Sequence, residues 1–329
     1  MIDAIKESIS KDFTNLSFDV SSWKEVLKDS SEVSVFHLQS SINYYAAYHE
    51  GTNISFLLHE NNTPLVVFPL FAYTENKQWM LSSNGEGIIA PLFIQGTPKK
   101  LKKRLEKQIA EIIYIIAHEL KIENVRFFEP NLILSNWYLL WLEKNSKDFL
   151  KYQLAIDLRK SIEDIRLGFR KSYKPLVNKA LKEWQIEVCD KDHDQIFEEF
   201  RLLHLEAAGK ETRSRESWTI QKEQIKNKEA FLVTVRDESK LIGAGFFNYT
   251  RDMGMYSVAA YKRELFDRPI GHAVQMIAIE KLKELGCKTY YLGQKATSGL
   301  STEKEISISH FKEGFASHIV AQPNLEVTI

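Results

Sequence analysis

The same order of apolar runs occurs twice along the chain, once in each half. Residues 54 to 58 (ISFLL) and 65 to 73 (LVVFPLFAY) are β-type runs separated by the polar stretch HENNTP, a spacing that predicts a hairpin. WMLSS at 79 to 83 predicts a third strand. From 101 to 120, Leu101, Leu105, Ile109, Ile112, Ile113, Ile116 and Leu120 recur at steps of three and four, the period of an amphipathic helix, and VRFFEP at 125 to 130 is again extended. The second half brings FLVTV (231 to 235), a DESK turn, LIGAGFFNY (241 to 249), MYSVAA (255 to 260), a helix at 270 to 285 and TYYLG (289 to 293). Phe231 lies 175 positions after Phe56, and Met255 lies 176 after Trp79. So large an offset predicts a duplicated domain and not a solenoid, whose period is about 20 to 50 residues. The expected fold class is α/β: two tandem domains, 1–155 and 156–329, each an antiparallel-rich mixed sheet flanked by helices.

A length of 329 residues suits two domains of about 150 residues each. Formal net charge is zero, which argues against coating by nucleic acid or membrane but leaves local patches open. The two cysteines, Cys189 and Cys287, stand far apart without metal-ligand spacing, so neither a disulfide framework nor a metal site is expected. The N-terminal MIDAIKESISKDF has no continuous apolar core, and no window approaches the ~20 apolar residues of a membrane span. A cytoplasmic enzyme or binding protein is the expectation. There is no G-x-x-x-x-G-K-S/T loop and no H-E-x-x-H helix, and GAGFFN falls in a hairpin strand, not before a helix.

Ahead of the second long helix, Arg268, Pro269, Ile270, Gly271, His272 and Ala273 fit R-x-x-G-x-A. A helix start exposes N–H groups with no partner inside the helix, so strand, glycine turn and helix N-terminus are the ingredients of a pyrophosphate cradle. Pro269 removes one donor, although proline is favoured in a first helical turn. An ordinary helix start fits the same string. At the equivalent place in the first half, QGTPKK has Pro98 where glycine would be needed. RPIGHA resembles the acyl-CoA-binding signature of the GNAT acyltransferase superfamily. That resemblance implies cofactor contacts from Arg268, Ile270, Gly271, His272 and Ala273, with acyl-CoA as donor.

A second resemblance spans nearly the whole chain. ISISHFKEGFASHIV (306 to 320), RLGFRKSYKPLVNKALKEWQIEV (166 to 188) and FHLQSSINYYAAYHEG (36 to 51) are similar to elements of the FemAB-type aminoacyltransferases, which are two fused GNAT-like domains. The likeness implies tandem GNAT-like domains, the first serving as scaffold and acceptor platform, the second binding the donor. Phe311, Lys312 and Phe315 match the family's late F-K-x-x-F element, which implies that Lys312 stabilises the oxyanion of acyl transfer or a substrate carboxylate and that Phe311 lines the substrate site. Tyr44 and Tyr45 stand near the tryptophan of the family's early element, as substrate-binding candidates, and its following lysine is replaced by Tyr48 or His49. The long helical arm of the staphylococcal-type members has no counterpart between 189 and 230.

The stretch HLEAAGKETRSRESW (204 to 218) carries more polar function than a packing helix needs. His204 and Glu206 are candidate proton acceptors for the amine. Arg213 or Arg215 would supply the family's contact to acceptor phosphate, because a guanidinium grips phosphate bidentately. Between 159 and 182, eight basic residues against two acidic ones make a patch of plus six, suited to the phosphates of CoA, a nucleotide sugar or tRNA, or simply a solvated helix pair. The expected function is transfer of an acyl or aminoacyl group, from acyl-CoA by preference, to an amine of a cell-envelope or glycan precursor. Two alternatives stay open: an aminoacyl-tRNA donor, and a non-catalytic protein that binds a phosphate ligand.

Overall fold

The computed structural model describes residues 1–130, 133–191, 193–297 and 299–329. They form two compact units, one of residues 1–151 with 321–329, the other of residues 152–320.

In the first unit the strands Phe56–Glu60 and Thr63–Phe68 pair antiparallel across Asn61 and Asn62, which both take left-handed φ values (49° and 64°). Asparagine tolerates that conformation, which is what a two-residue hairpin turn requires. The apolar run 65 to 73 is not one strand. It breaks after Phe68: Thr63–Phe68 pairs with Phe56–Glu60 and Leu92–Phe93, whereas Phe71–Glu75 pairs with Gln78–Ser82 in a separate sheet. Pro69 has no N–H for a ladder, and Ser55 and Ser83 complete the break, the Ser55 hydroxyl accepting from the Leu70 N–H and the Ser83 hydroxyl donating to the Pro69 carbonyl. The helix Lys99–Glu119 buries Leu105, Ile109, Ile112, Ile113 and Ile116 in a core that also holds Phe127, Trp137 and Trp141. The strand Asn124–Phe128 pairs in parallel with Ile88–Ile89 and antiparallel with residues 324–328.

The second unit is a sheet between two helix layers. Strand Gln185–Cys189 is followed across the sheet by Ala230–Asp237, Lys240–Tyr249, Met253–Tyr261, Thr289–Gln294 and residues 153–157. The alternation in FLVTV sorts its residues by face. Phe231, Val233 and Val235 meet the layer of helices Tyr173–Glu183 and Ile270–Glu284; Leu232 meets the layer of Asp194–Ala208 and Arg215–Lys226. The helix Ile270–Glu284, here the central helix, lies close to the sheet. A Cβ on Gly243 would come within 2.5 Å of Ile270, one on Gly245 within 2.7 Å of Val274 and one on Gly254 within 2.5 Å of Leu282.

Among the described residues three bulges interrupt this sheet, one of them at Ile242 opposite the Val235–Arg236 step. Ser257 is an extra residue opposite the Phe246–Phe247 step, and Leu292 is another opposite Leu154–Ala155. Such bulges shift the alternation by one residue. Strands Met253–Tyr261 and Thr289–Gln294 run parallel but pair over three residues, Met253 to Met255 with Thr289 to Tyr291. Beyond those pairs the two strands are not hydrogen-bonded, and this gap in the ladder, the notch, is on the side where Tyr261 approaches Gly271 at the start of the central helix.

Gly245→Val should cost about 1 to 3 kcal/mol in urea denaturation, because its side chain must displace the central helix or Phe247. Gly168→Ala, with no atom within 4 Å of the added Cβ, should leave the midpoint nearly unchanged.

Candidate active site

The segment leading into the central helix is anchored on both sides. Lys262 donates to both carboxylate oxygens of Glu206 (2.5 and 2.6 Å), and Arg263 Nε donates to the Ala207 carbonyl (2.8 Å). Arg268 forms an ion pair with Glu183 and stacks over the Trp184 ring, 5.5 Å from its centroid. Within the first turn the Ile270 N–H donates to the Arg268 carbonyl, and those of His272 and Ala273 donate to the Pro269 carbonyl. The Gly271 N–H has no such acceptor among the described residues. Pro269, Ile270 and Ala273 are buried, Gly271 and His272 half-buried. A Cβ on Gly271 would lie 3.1 Å from the Phe311 ring and 3.6 Å from the Tyr261 hydroxyl.

His272 sits among rings, 4.4 Å from Tyr173, 5.2 Å from Phe311 and 5.8 Å from Phe315 between centroids. Burial, and then the nearby Arg170 charge, lower its pKa to about 4, so the imidazole is neutral at neutral pH. Phe311 comes from the late helix Glu303–Glu313, which opens with a capping box between Thr302 and Glu305, Phe315 follows its end, and Tyr173 opens the helix Tyr173–Glu183. Tyr173 fastens the late helix to the basic segment: its hydroxyl donates to the Phe311 carbonyl (3.0 Å), while Arg170 donates to the His310 carbonyl (3.0 Å).

That fastening carries Lys312 into the notch. Its Nζ lies over the Tyr256 ring, 5.3 Å from the centroid, and a Cβ on Gly293 would be 2.7 Å from it. No carboxylate pairs with it among the described residues, since Glu313 is bound to Lys295 (2.6 Å) and to the Ser309 hydroxyl (3.0 Å). Burial lowers the Lys312 pKa from 10.5 to about 8. The structure thus gathers Gly271, His272, Phe311 and Lys312 around Tyr256 and Tyr261, whose hydroxyls are 3.0 Å apart. Together they bring one cation, two neutral phenols and a main-chain N–H without an acceptor among the described residues into one half-buried cluster, a set that suits a developing negative charge.

The stretch 204 to 218 lies on the opposite face of the sheet. His204 packs 5.2 Å from Trp218, and Arg213 stacks on the same indole at 4.8 Å. Burial and the Arg213 charge lower the His204 pKa to about 4. Arg215 reaches Glu198 at 3.4 Å. Tyr44 and Tyr45 belong to the first unit, on the helix Gln39–Tyr48, where their rings meet edge to face at 5.2 Å and Tyr45 approaches Phe36 at 6.1 Å. Sequence reasoning missed Tyr256, Tyr261, Tyr173, Arg170 and Gly293. Tyr256 and Tyr261 are five residues apart, so strict alternation separates them; the Ser257 bulge brings both to the helix-facing side. Among the described residues no cluster of His, Cys, Asp or Glu is placed to hold a metal, and no helix is long and apolar enough to cross a membrane.

No family model matches the sequence, and no curated protein does. Solved structures do. FemX superposes with a TM-score of 0.70 at 11% identity, over 93% of this chain and 96% of that one. The chain has the FemX fold. L-PGS from Bacillus licheniformis superposes with a TM-score of 0.61 at 12% identity, covering 94% of this chain and 92% of its own. The C-terminal domain of a candidate lysylphosphatidylglycerol synthetase from Agrobacterium fabrum gives 0.59 at 8% identity, with 93% and 92% covered. The α/β, tandem GNAT-like architecture expected from the repeat is the one observed.

A buried ammonium destabilises a fold wherever it is charged in both states. For Lys312 that is below about pH 8, and the penalty fades as pH rises from there through 10.5. Lys312→Met should therefore be more stable than wild type by about 1 to 3 kcal/mol at pH 7, with the gap closing between pH 8 and 10.5, as read by thermal unfolding at each pH.

Proposed function

We propose that the protein is an N-acyltransferase whose second unit holds an activated acyl donor at the start of the central helix, with Lys312 facing the reacting carbonyl. The observation that carries this reading is the Lys312 ammonium, half-buried over Tyr256 with no carboxylate partner among the described residues, on the helix whose Phe311 ring borders Gly271. In such a transfer the amine nitrogen attacks the acyl carbon, a C–N bond forms and the carbonyl oxygen becomes an oxyanion. Collapse breaks the bond to the carrier, whose sulfur or oxygen leaves with the electron pair and takes up a proton. Lys312 stabilises the oxyanion, a contribution worth about 10² to 10³ in rate. For proton removal from the amine the reading keeps His204 and Glu206. His204 packs on Trp218 on the other face of the sheet and Lys262 holds Glu206, so the fold brings neither side chain up to Lys312. Unchanged turnover in both His204→Ala and Glu206→Gln would leave that step to solvent.

Acyl-CoA is the preferred donor, because the Gly271 N–H has no acceptor among the described residues and stands at the start of a helix, where main-chain N–H groups suit a diphosphate. Arg268, Ile270, His272 and Ala273 shape that turn, Arg268 through its pair with Glu183 and His272 through the aromatic rings around it. An unreactive acyl-CoA analogue should raise the unfolding temperature. Gly271→Val, which pushes on the Phe311 ring, should weaken binding at least about 10-fold, a loss of ~1.4 kcal/mol. Undiminished affinity would remove the cradle.

An aminoacyl-tRNA donor is favoured by a different observation. Arg159 pairs with Asp157, and Arg166 and Arg170 are hydrogen-bonded to Asn178 and Tyr173, but Lys171, Lys174, Lys179 and Lys182 have no ion pair among the described residues. Stabilisation by charged tRNA that falls steeply with salt, without any effect of the CoA analogue, would establish that donor. The acceptor we place among amines of cell-envelope or glycan precursors, on the resemblance of residues 306 to 320, 166 to 188 and 36 to 51 to the FemAB-type aminoacyltransferases. Tyr44, Tyr45 and the first unit would present it, with Arg213 and Arg215 as phosphate contacts, inside the cytoplasm. A protein stabilised by neither donor would be a binding protein that keeps the fold.

With Lys312 acting as a cation, turnover should fall as pH rises through about 8. Lys312→Ala should lose about 10² to 10³ in kcat. Lys312→Arg keeps its charge at every accessible pH, so its residual activity should lack the alkaline decline.

A further inference from the structure

Lys312 occupies a socket with two walls. One is the face of Tyr256, whose hydroxyl is tied to that of Tyr261 at 3.0 Å, which fixes the ring plane. The other is Gly293, whose φ of +115° suits glycine and whose missing side chain leaves the space that Nζ occupies. Each wall follows from an irregularity in its strand, the Ser257 bulge after Tyr256 and the Leu292 bulge before Gly293. The other titratable groups nearby supply no counter-charge. Tyr256, Tyr261 and Tyr290 are phenols that burial keeps neutral, and His272 on the central helix is neutral above about pH 4. On the late helix itself, Arg170 engages His310, and Lys295 engages Glu313.

We propose that Tyr256 and Gly293 are positioning residues: the ring face attracts the Lys312 ammonium, and the missing side chain of the glycine leaves the space that Nζ occupies. A cation over an aromatic face in a desolvated site is held by the ring quadrupole, so the ring and not the hydroxyl carries the effect. The meaning of this socket for turnover rests on the acyltransferase reading, but its test needs no substrate. Trace acetic anhydride applied to the native protein across pH 6 to 11 labels each lysine in proportion to its free amine. Mass spectrometry of the Lys312 peptide, against exposed Lys171 as reference, gives the pH at which Lys312 deprotonates.

Wild type should break near pH 8. Tyr256→Phe should break at the same pH, and Tyr256→Leu about one unit lower, because the attraction for the cation is gone. Gly293→Ala should break higher, towards an ordinary lysine, because the methyl group expels the ammonium into water. A Tyr256→Leu break unmoved from wild type overturns the proposal, and so does a Tyr256→Phe break that moves as far as that of Tyr256→Leu. Both outcomes stand even where Gly293→Ala fails to fold. Shifted breaks in a protein that transfers no acyl group keep the socket and remove the acyltransferase reading. Unmoved breaks alongside Lys312-dependent turnover do the reverse.

Discussion

The central helix lies against its sheet because Gly243, Gly245 and Gly254 have no side chains to hold it off. Ile270, Val274 and Leu282 take up that space along one face of the helix. This contact sets the depth of the helix, and the depth sets the height of its first turn relative to the strand that precedes it. Were the helix an ångström or two further out, Gly271 would leave Phe311 and Tyr261, and the notch would lose one side. A packing constraint in the middle of the unit therefore governs the geometry at its edge.

The notch itself exists because two parallel strands stop pairing. Ladder hydrogen bonds given up inside a protein must be replaced or left open to solvent. Beside this gap stand the Tyr256 and Tyr261 hydroxyls, from the first of the two strands, and the Lys312 ammonium, next to Gly293 of the second. Burying an ammonium without a carboxylate is costly, and folds do not keep such a group for stability. The late helix nevertheless holds it there, with Tyr173 and Arg170 bonded to the carbonyls of Phe311 and His310. Strain of this kind is concentrated where a charge is needed for a partner that arrives later.

Much of this was readable from residue order. The amphipathic spacing of Leu105, Ile109, Ile112 and Ile116 marked the first long helix within two residues at its start. The hairpin strands of the second half were legible as two apolar runs, FLVTV and LIGAGFFNY, on either side of the polar DESK turn, although Ile242 bulges opposite the Val235–Arg236 step. The run LVVFPLFAY misled because its apolar character is continuous across Pro69, and the break depends on hydrogen bonds from Ser55 and Ser83 that no local pattern announces. The grouping of Phe311 and Lys312 with Gly271 was suggested by resemblance and not by periodicity. The Tyr256 and Tyr261 pair stayed hidden because a bulge changes the parity of a strand, and bulges depend on the partner strand as much as on their own residues.

The strand at residues 324–328 completes the first unit by pairing with residues 124–128, although the whole of the second unit is encoded between them. A ribosome delivers these partners about 200 residues apart. At ~5 to 20 residues per second the strand Asn124–Phe128 waits ten seconds or more with one edge bare. Residues 152–320 can close on themselves during that interval, so the unit begun first is the one finished last. Exposed strand edges invite pairing with other chains. Demand for chaperones should accordingly centre on the half that emerges earliest.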